Sequence, residues 1–394
     1  DVTNSHPRQF ASIVISVIAL SLAGCGQAEP EAVPTPSATP TSSATPTADP
    51  FARPDSAFDV TCDELVPLAT MVELYGAGAQ PISIDYAGIA ESRLQFTAAL
   101  TDGALICQWG LTGSPVPVAT LTATPASAEQ FAIAAAGFDE LPRPTPPVPI
   151  LDGARASCDD GFPGDTSRVR CQWTTYRDGV WLVAAFSDMP ASEVDPPTVR
   201  DNPDTSGNPA TARLDSVSTR IIVEAAEKLR DAVRPDWLRS SSPLTTCDEV
   251  VDRVVSELSG TITFGQSYDR TQFVPRDTWS SSADSGWGIG SLAIERLGWT
   301  SCGIEIPTDG LAVNVSIIVA QNAAWVLRND LPSVVTLEAL SGVDGVIGCA
   351  SDEGGAQCYA AIAVGAHVVA VTADSTIDAE LTRSLVVAAA GVLN

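Results

Sequence analysis

Histidine is nearly missing from this chain: only His6 and His367 occur in 394 residues. Lysine is rarer still, with Lys228 alone, and methionine occurs twice. Without a second histidine beyond the N-terminal segment, neither a Ser-His-Asp nor a Cys-His arrangement can be assembled within one chain. No GxSxG, GxGxxG or P-loop sequence occurs, so the common nucleophile elbow and nucleotide cradles are excluded. No Cys-x2-Cys spacing occurs either, which removes the usual structural zinc patterns. Uninterrupted apolar runs are short. The longest N-terminal one, Phe10 to Leu22, falls below the roughly 20 residues a spanning helix needs.

Positive charge is scarce as well. The net charge of −27 opposes binding to nucleic acid or to anionic lipid, since both would repel the surface. It would favour cations or basic partners, and its simpler reading is a surface charged for solubility. Arginine supplies nearly all the basic charge, and with abundant Ala, Val and Asp the composition fits a GC-rich genome such as that of an actinobacterium.

What is present begins with Arg8 and the apolar run after it, which reads as the core of a signal peptide over residues 1–24. The chain starts at Asp1 rather than Met, so a trimmed start is expected. Leu22-Ala23-Gly24-Cys25 closes the run and resembles a bacterial lipobox. That resemblance implies diacylglyceryl attachment to the Cys25 sulfur, cleavage before it, and a lipid anchor holding the protein at the outer face of the cytoplasmic membrane. Residues 25–60 are dense in Pro, Thr, Ser and Ala, a composition that buries too little apolar surface to fold and favours extended polyproline II. At about 3.1 Å per residue such a tether reaches on the order of 100 Å.

The remaining eight cysteines form two sets of similar spacing: Cys62, Cys107, Cys158 and Cys171, then Cys247, Cys302, Cys349 and Cys358. Thr61-Cys62-Asp63-Glu64-Leu65 matches Thr246-Cys247-Asp248-Glu249-Val250. An apolar helix follows each and ends at Gly76 or Gly260, glycines suited to left-handed caps, with Pro67 splitting the first. Gly88-Ile89 pairs with Gly288-Ile289. Strands around Cys107 and Cys302 are followed by a second strand and then by a helix carrying Phe131 or Trp325, read as core anchors. Closing hairpins, turns at Asp178-Gly179 and Gly365-Ala366, and a terminal helix complete each unit. The fold class expected is therefore α+β: two tandem copies of an antiparallel sheet with packed helices, each with two disulfides. The boundaries are 61–234 and 246–394, joined by a linker at 235–245.

In an exported chain an even cysteine count reads as disulfides. Each set allows three pairings. First-to-second and third-to-fourth is favoured, because the latter bridges the arms of one hairpin and the former pins the opening helix to the sheet. On the chain-entropy model each bond supplies roughly 3–4 kcal/mol. The layout resembles actinobacterial lipoproteins of uncharacterised function, built from a cysteine-bearing helix start, a cysteine-bearing central strand and a closing hairpin. That resemblance implies surface or sensor-like modules without catalytic residues.

No cofactor or metal is expected. Acids near the hairpins (Asp159, Asp160, Asp165, Asp352, Glu353) and at Asp201 and Asp204 read as solvated turns, and none follows a calcium-loop pattern. The candidate ligand loop is the longer stretch of copy two from Thr261 to Trp287, bearing Phe264, Tyr268, Phe273, Trp279 and Trp287. The function expected is a non-catalytic, lipid-anchored binding or sensor-like protein of the envelope, with an envelope protein or glycan as partner. Two other readings stay open: a carboxylate-based wall-polymer hydrolase, and a structural partner of a membrane complex.

Overall fold

A computed structural model describes residues 49, 51–82, 90–114, 116–132, 154–162, 165–195, 211–234, 237, 241–269, 287–308, 311–329, 337–352, 355–374 and 377–393. The export run, Cys25 and most of the tether lie outside them, as do Gly88, Ile89, Glu353, Asp201 and Asp204.

Copy one opens with helices α1 (Cys62–Leu65) and α2 (Leu68–Tyr75), then strand β1 (Ala79–Pro81), helix α3 (Ala90–Thr101), and strands β2 (Leu105–Leu111) and β3 (Pro117–Pro125). Strands β4 (Arg155–Phe162), β5 (Asp165–Arg177) and β6 (Val180–Pro190) follow, then the short ribbon β7 (Val194–Asp195) and β8 (Thr211–Ala212), and helix α4 (Val217–Ala232). Copy two repeats the order: α5 (Cys247–Leu258), β9 (Ser267–Asp269), α6 (Trp287–Leu297), β10 (Thr300–Thr308) and β11 (Leu311–Ala320). After these come α7 (Val326–Asn329), β12 (Glu338–Ala339), β13 (Gly345–Asp352), β14 (Gly355–Val364), β15 (His367–Asp374) and α8 (Ala379–Ala390).

Sheet order establishes the repeat. The first sheet runs β1-β2-β3-β6-β5-β4 and the second β9-β10-β11-β15-β14-β13, with β12 added at its edge. All the recorded pairs are antiparallel. The chain is thus α+β with two tandem sheet copies.

Both opening helices start in the same way. Thr61 and Thr246 accept the backbone N–H of Glu64 and Glu249, and each glutamate returns a carboxylate oxygen to its threonine N–H at 2.8 Å. Two orphan donors are satisfied per helix start. The hydrogen bonds from Thr61 and Thr246 hold both carboxyls below their ordinary range. The helix ends differ from expectation at one glycine. Gly76 takes φ 85° at the end of α2, whereas α5 closes at Ser259 in the right-handed region, and Gly260 is not in the left-handed one.

The four disulfides are Cys62–Cys107, Cys158–Cys171, Cys247–Cys302 and Cys349–Cys358. In each copy the first ties an opening helix to the second strand of its sheet. The second links residues directly opposite across a hairpin, with Cα atoms 4.1 Å apart in both copies.

Strand alternation sends side chains to two different cores. On β6, Leu182, Ala184 and Phe186 join α1, α2 and α4 in an outer core, whereas Trp181 and Val183 face the other way. On β11, Val315, Ile317 and Val319 join α5 and α8, whereas Ile318 and Ala320 face the other way. The two inner faces share one cluster with α3 and α6, which pack against each other. The result is five layers: helices, sheet, helix pair, sheet, helices. Burial on both faces explains why Val180 to Phe186 is an unbroken apolar run.

Helices α3 and α6 escaped the sequence reading. They end at Gly103 (φ 82°) and Gly298 (φ 62°), each four residues before a cysteine. A Cβ on Gly103 would lie 1.8 Å from the Trp237 ring, and one on Gly298 2.6 Å from the Ser241 carbonyl oxygen. Both glycines are therefore needed for conformation and for space. The described part of the linker lies over them, and the Trp237 indole N–H donates to the Asp102 carbonyl at 2.7 Å. The packed chain also begins before Thr61: Ala57 and Phe58 are buried, and Phe58 bridges Val233.

Candidate functional site

The inner sheet faces carry equivalent positions with different side chains. The β5–β6 turn is closed by Arg177 opposite Val180, and the β14–β15 turn by Val364 opposite His367. Counting from these pairs, Trp181 corresponds to Val368, Val183 to Ala370, and Tyr176 to Ala363. In copy one the aromatic positions fill the face. Phe131 stacks on Tyr176 with ring centroids 5.5 Å apart and meets Trp181 edge-on at 6.0 Å. The Trp181 indole N–H donates to Thr174 Oγ1 at 2.8 Å, so its one polar atom is satisfied.

Copy two has small residues there, and a pocket results. Ile318 and Ala320 on β11 stand beside Ala370 and Val368 on β15, and Tyr359 on β14 stands beside Thr372. With Trp299, Ala323, Val326 and Thr97 of α3 these residues enclose an apolar pocket of about 40 Å³. That volume admits the tip of an apolar group and lies well below the roughly 300–1,000 Å³ of sites that enclose a whole small ligand. Its wall residue Trp299 is fixed by its indole N–H, which donates to the Gln321 carbonyl at 2.9 Å, and beside the pocket the Trp325 indole N–H reaches Thr101 Oγ1 of α3 at 3.2 Å.

The junction beneath is locked by a buried charge pair. The Arg296 guanidinium of α6 meets the Asp102 carboxylate of copy one, with side-chain exposures of 9% and 2%. Arg296 Nη2 also donates to Thr124 Oγ1 at 2.8 Å. A pair this buried is tolerable only with such added hydrogen bonds. Closest approach of α3 and α6 falls at Gly290, where a Cβ would lie 2.5 Å from the Gln95 Cβ.

Of the five aromatics of the loop proposed from sequence, Phe264 packs against the outer core of copy two, and Tyr268 and Trp287 fall on the shared fold. Tyr268 lies on β9 opposite Gly303, and β9 holds the sheet-edge place that β1 holds in copy one. Trp287 is the first residue of α6, the counterpart of α3. The stretch particular to copy two narrows to 270–286, which together with Phe273 and Trp279 lies outside the described residues. Phe131 and Trp325 are buried, as expected of core anchors.

Glu193, Tyr75 and His367 have structural partners, and Asp159 and Asp352 are placed by strand register alone. Glu193 accepts the Ser218 N–H at 2.9 Å at the start of α4. The Tyr75 hydroxyl donates to the Val118 carbonyl at 2.8 Å, and burial, with Asp188 and Glu193 nearby, pushes it well above its ordinary value. Asp159 stands opposite Arg170, and Asp352 opposite Gly355. His367 accepts the Asn322 N–H on Nδ1 at 3.5 Å, and partial burial lowers its pKa. Among the described residues, no group of three or more His, Cys, Asp or Glu is placed to hold a metal ion. No helix among them is long and apolar enough to cross a membrane. No signal in a single copy marks Asp102, Arg296 or the pocket. Position by position, Asp102 stands where copy two has Leu297, and Arg296 where copy one has Thr101.

No protein family, curated protein or solved structure matches this chain.

Proposed function

We propose that this chain is a lipid-anchored, extracytoplasmic protein of the cell envelope that binds a partner and performs no catalysis. The observation that carries the binding reading is the apolar pocket on the inner face of copy two, present where copy one fills the same face with aromatics. A pocket of this size suits one apolar anchor of a larger partner, the type of contact that dominates protein recognition energetics. An envelope protein presenting such a side chain is the partner this reading takes. The four disulfides support an oxidising location. The lipobox at Cys25 supports the anchor.

The test of binding fills the pocket with copy one's own residue. Val368→Trp should retain the wild-type far-ultraviolet spectrum and lose a cross-linked envelope partner that the wild type captures. Capture unchanged by Val368→Trp, or lost only on deleting 270–286, removes the pocket from recognition. For the anchor, Cys25→Ala should abolish labelling by an alkyne fatty acid, and labelling that persists overturns that part.

A further inference from the structure

The two hairpin disulfides share one geometry and differ in access. Cys158–Cys171 and Cys349–Cys358 each join directly opposed residues, and both pairs have Cα atoms 4.1 Å apart. In copy one both cysteines are buried, at 1% and 0% exposure. The chain between β6 and α4 spans residues 191–216, and its strand β8 lies against β4, the strand that carries Cys158. In copy two the passage from β15 to α8 spans only 375–378. The edge strand β13 is paired by β12 at Val346 and Ile347 alone, and Cys349 lies beyond that pairing and is exposed. Its partner Cys358, on the interior strand β14, is 4% exposed.

We propose that Cys349–Cys358 is a thiol-exchange site, at which a small external thiol is captured on the Cys349 sulfur. Exchange requires a thiolate to approach one sulfur in line with the bond that breaks. The bond here crosses from an interior strand to an edge strand, so the line through it past Cys349 leaves the sheet at its edge. The opposite line, past Cys358, enters the sheet. Attack is therefore directed to Cys349: a new bond forms between the incoming sulfur and Cys349 Sγ, the Sγ–Sγ bond breaks, and Cys358 departs as a thiolate. Taking a proton from solvent, Cys358 becomes a thiol 3.2 Å from the Ile377 carbonyl oxygen, which is placed to accept it. A second equivalent of the thiol then resolves the mixed disulfide, leaving Cys349 reduced and the external thiol oxidised to its own disulfide. The exposed carboxylate Glu338 stands opposite Ile347, two residues before Cys349 on β13, so a neutral or cationic thiol suits the site better than an anionic one.

The test uses the native full chain with millimolar cysteamine as the probe, followed by alkylation of free thiols and peptide mapping over time. Cys349 and Cys358 should be labelled at least about tenfold faster than Cys158 and Cys171, with the far-ultraviolet spectrum unchanged, and 3-mercaptopropionate at the same thiolate concentration should be slower. Equal rates for the two hairpin disulfides, or labelling of Cys349 only as the protein unfolds, overturns the proposal. So does a mixed disulfide found on Cys358 in place of Cys349.

Discussion

Copies one and two share a sheet order, helix starts and disulfide positions, and their side chains differ on both faces of the sheets. Copy one places Trp181, Tyr176 and Val183 on its inner face, whereas copy two places Val368, Ala363 and Ala370. In the outer cores Trp109, Trp173 and Phe186 of copy one stand where copy two has Ile304, Ala360 and Ala373, and each of these cores is filled by its own copy's residues. The two inner faces instead fill the space between them jointly. The difference teaches that the junction, and the pocket within it, is a property of the pair.

The largest effect should follow from making the junction symmetric. Asp102 precedes Gly103, and the residue preceding Gly298 is Leu297, so Asp102→Leu gives copy one its counterpart. It leaves the Arg296 guanidinium buried without its carboxylate, a loss of about 3–5 kcal/mol by urea unfolding. Arg296 corresponds in turn to Thr101, and the double variant Asp102→Leu/Arg296→Thr should recover part of that loss. Equal stability of single and double variants breaks the account of the pair.

A smaller effect is expected from emptying copy one's inner face. Trp181→Val reproduces Val368, removes the edge contact with Phe131 and leaves a cavity, at a cost of about 2–4 kcal/mol. The reverse change, Val368→Trp, should cost less, because it enters space already open. Calorimetric midpoints of the two variants order these effects, and a greater loss from Val368→Trp contradicts the reading of the pocket.

The smallest effect concerns pH. Glu64 and Glu249 are lowered alike by their capping hydrogen bonds, so both copies gain stability above the ordinary carboxylate range and lose it as pH falls through the folded values. His367 belongs to copy two alone, with Val180 as its counterpart. Its pKa is lowered by burial, so the unfolded chain binds the proton first, and stability falls as pH drops below the ordinary imidazole range. His367→Val should flatten the stability profile there and leave the acid limb set by Glu64 and Glu249 in place. A profile unchanged in both regions contradicts the histidine contribution.

Much of the architecture could be read from residues close in sequence. Thr61 with Glu64 and Thr246 with Glu249 are separated by three positions, so the cap is a local pattern. The hairpin cysteines sit on strands joined by a turn, which made their pairing legible. Helices α3 and α6 were not legible, because helices wedged between two sheets show no clean polar face to set their period. Tyr268 and Trp287 were assigned to a loop because β9 has only three residues, and its partner strand is needed to define it.

The sequence by itself determined the duplication, the disulfide framework and the helix starts, since each depends on residue type at short spacing or on repetition along the chain. Only the tertiary structure decided that α3 meets α6, that Asp102 meets Arg296, and that an apolar pocket opens on one inner face. Those contacts join residues far apart in the chain, and their energies depend on shape and on the exclusion of water between two surfaces. Neither copy contains that surface alone.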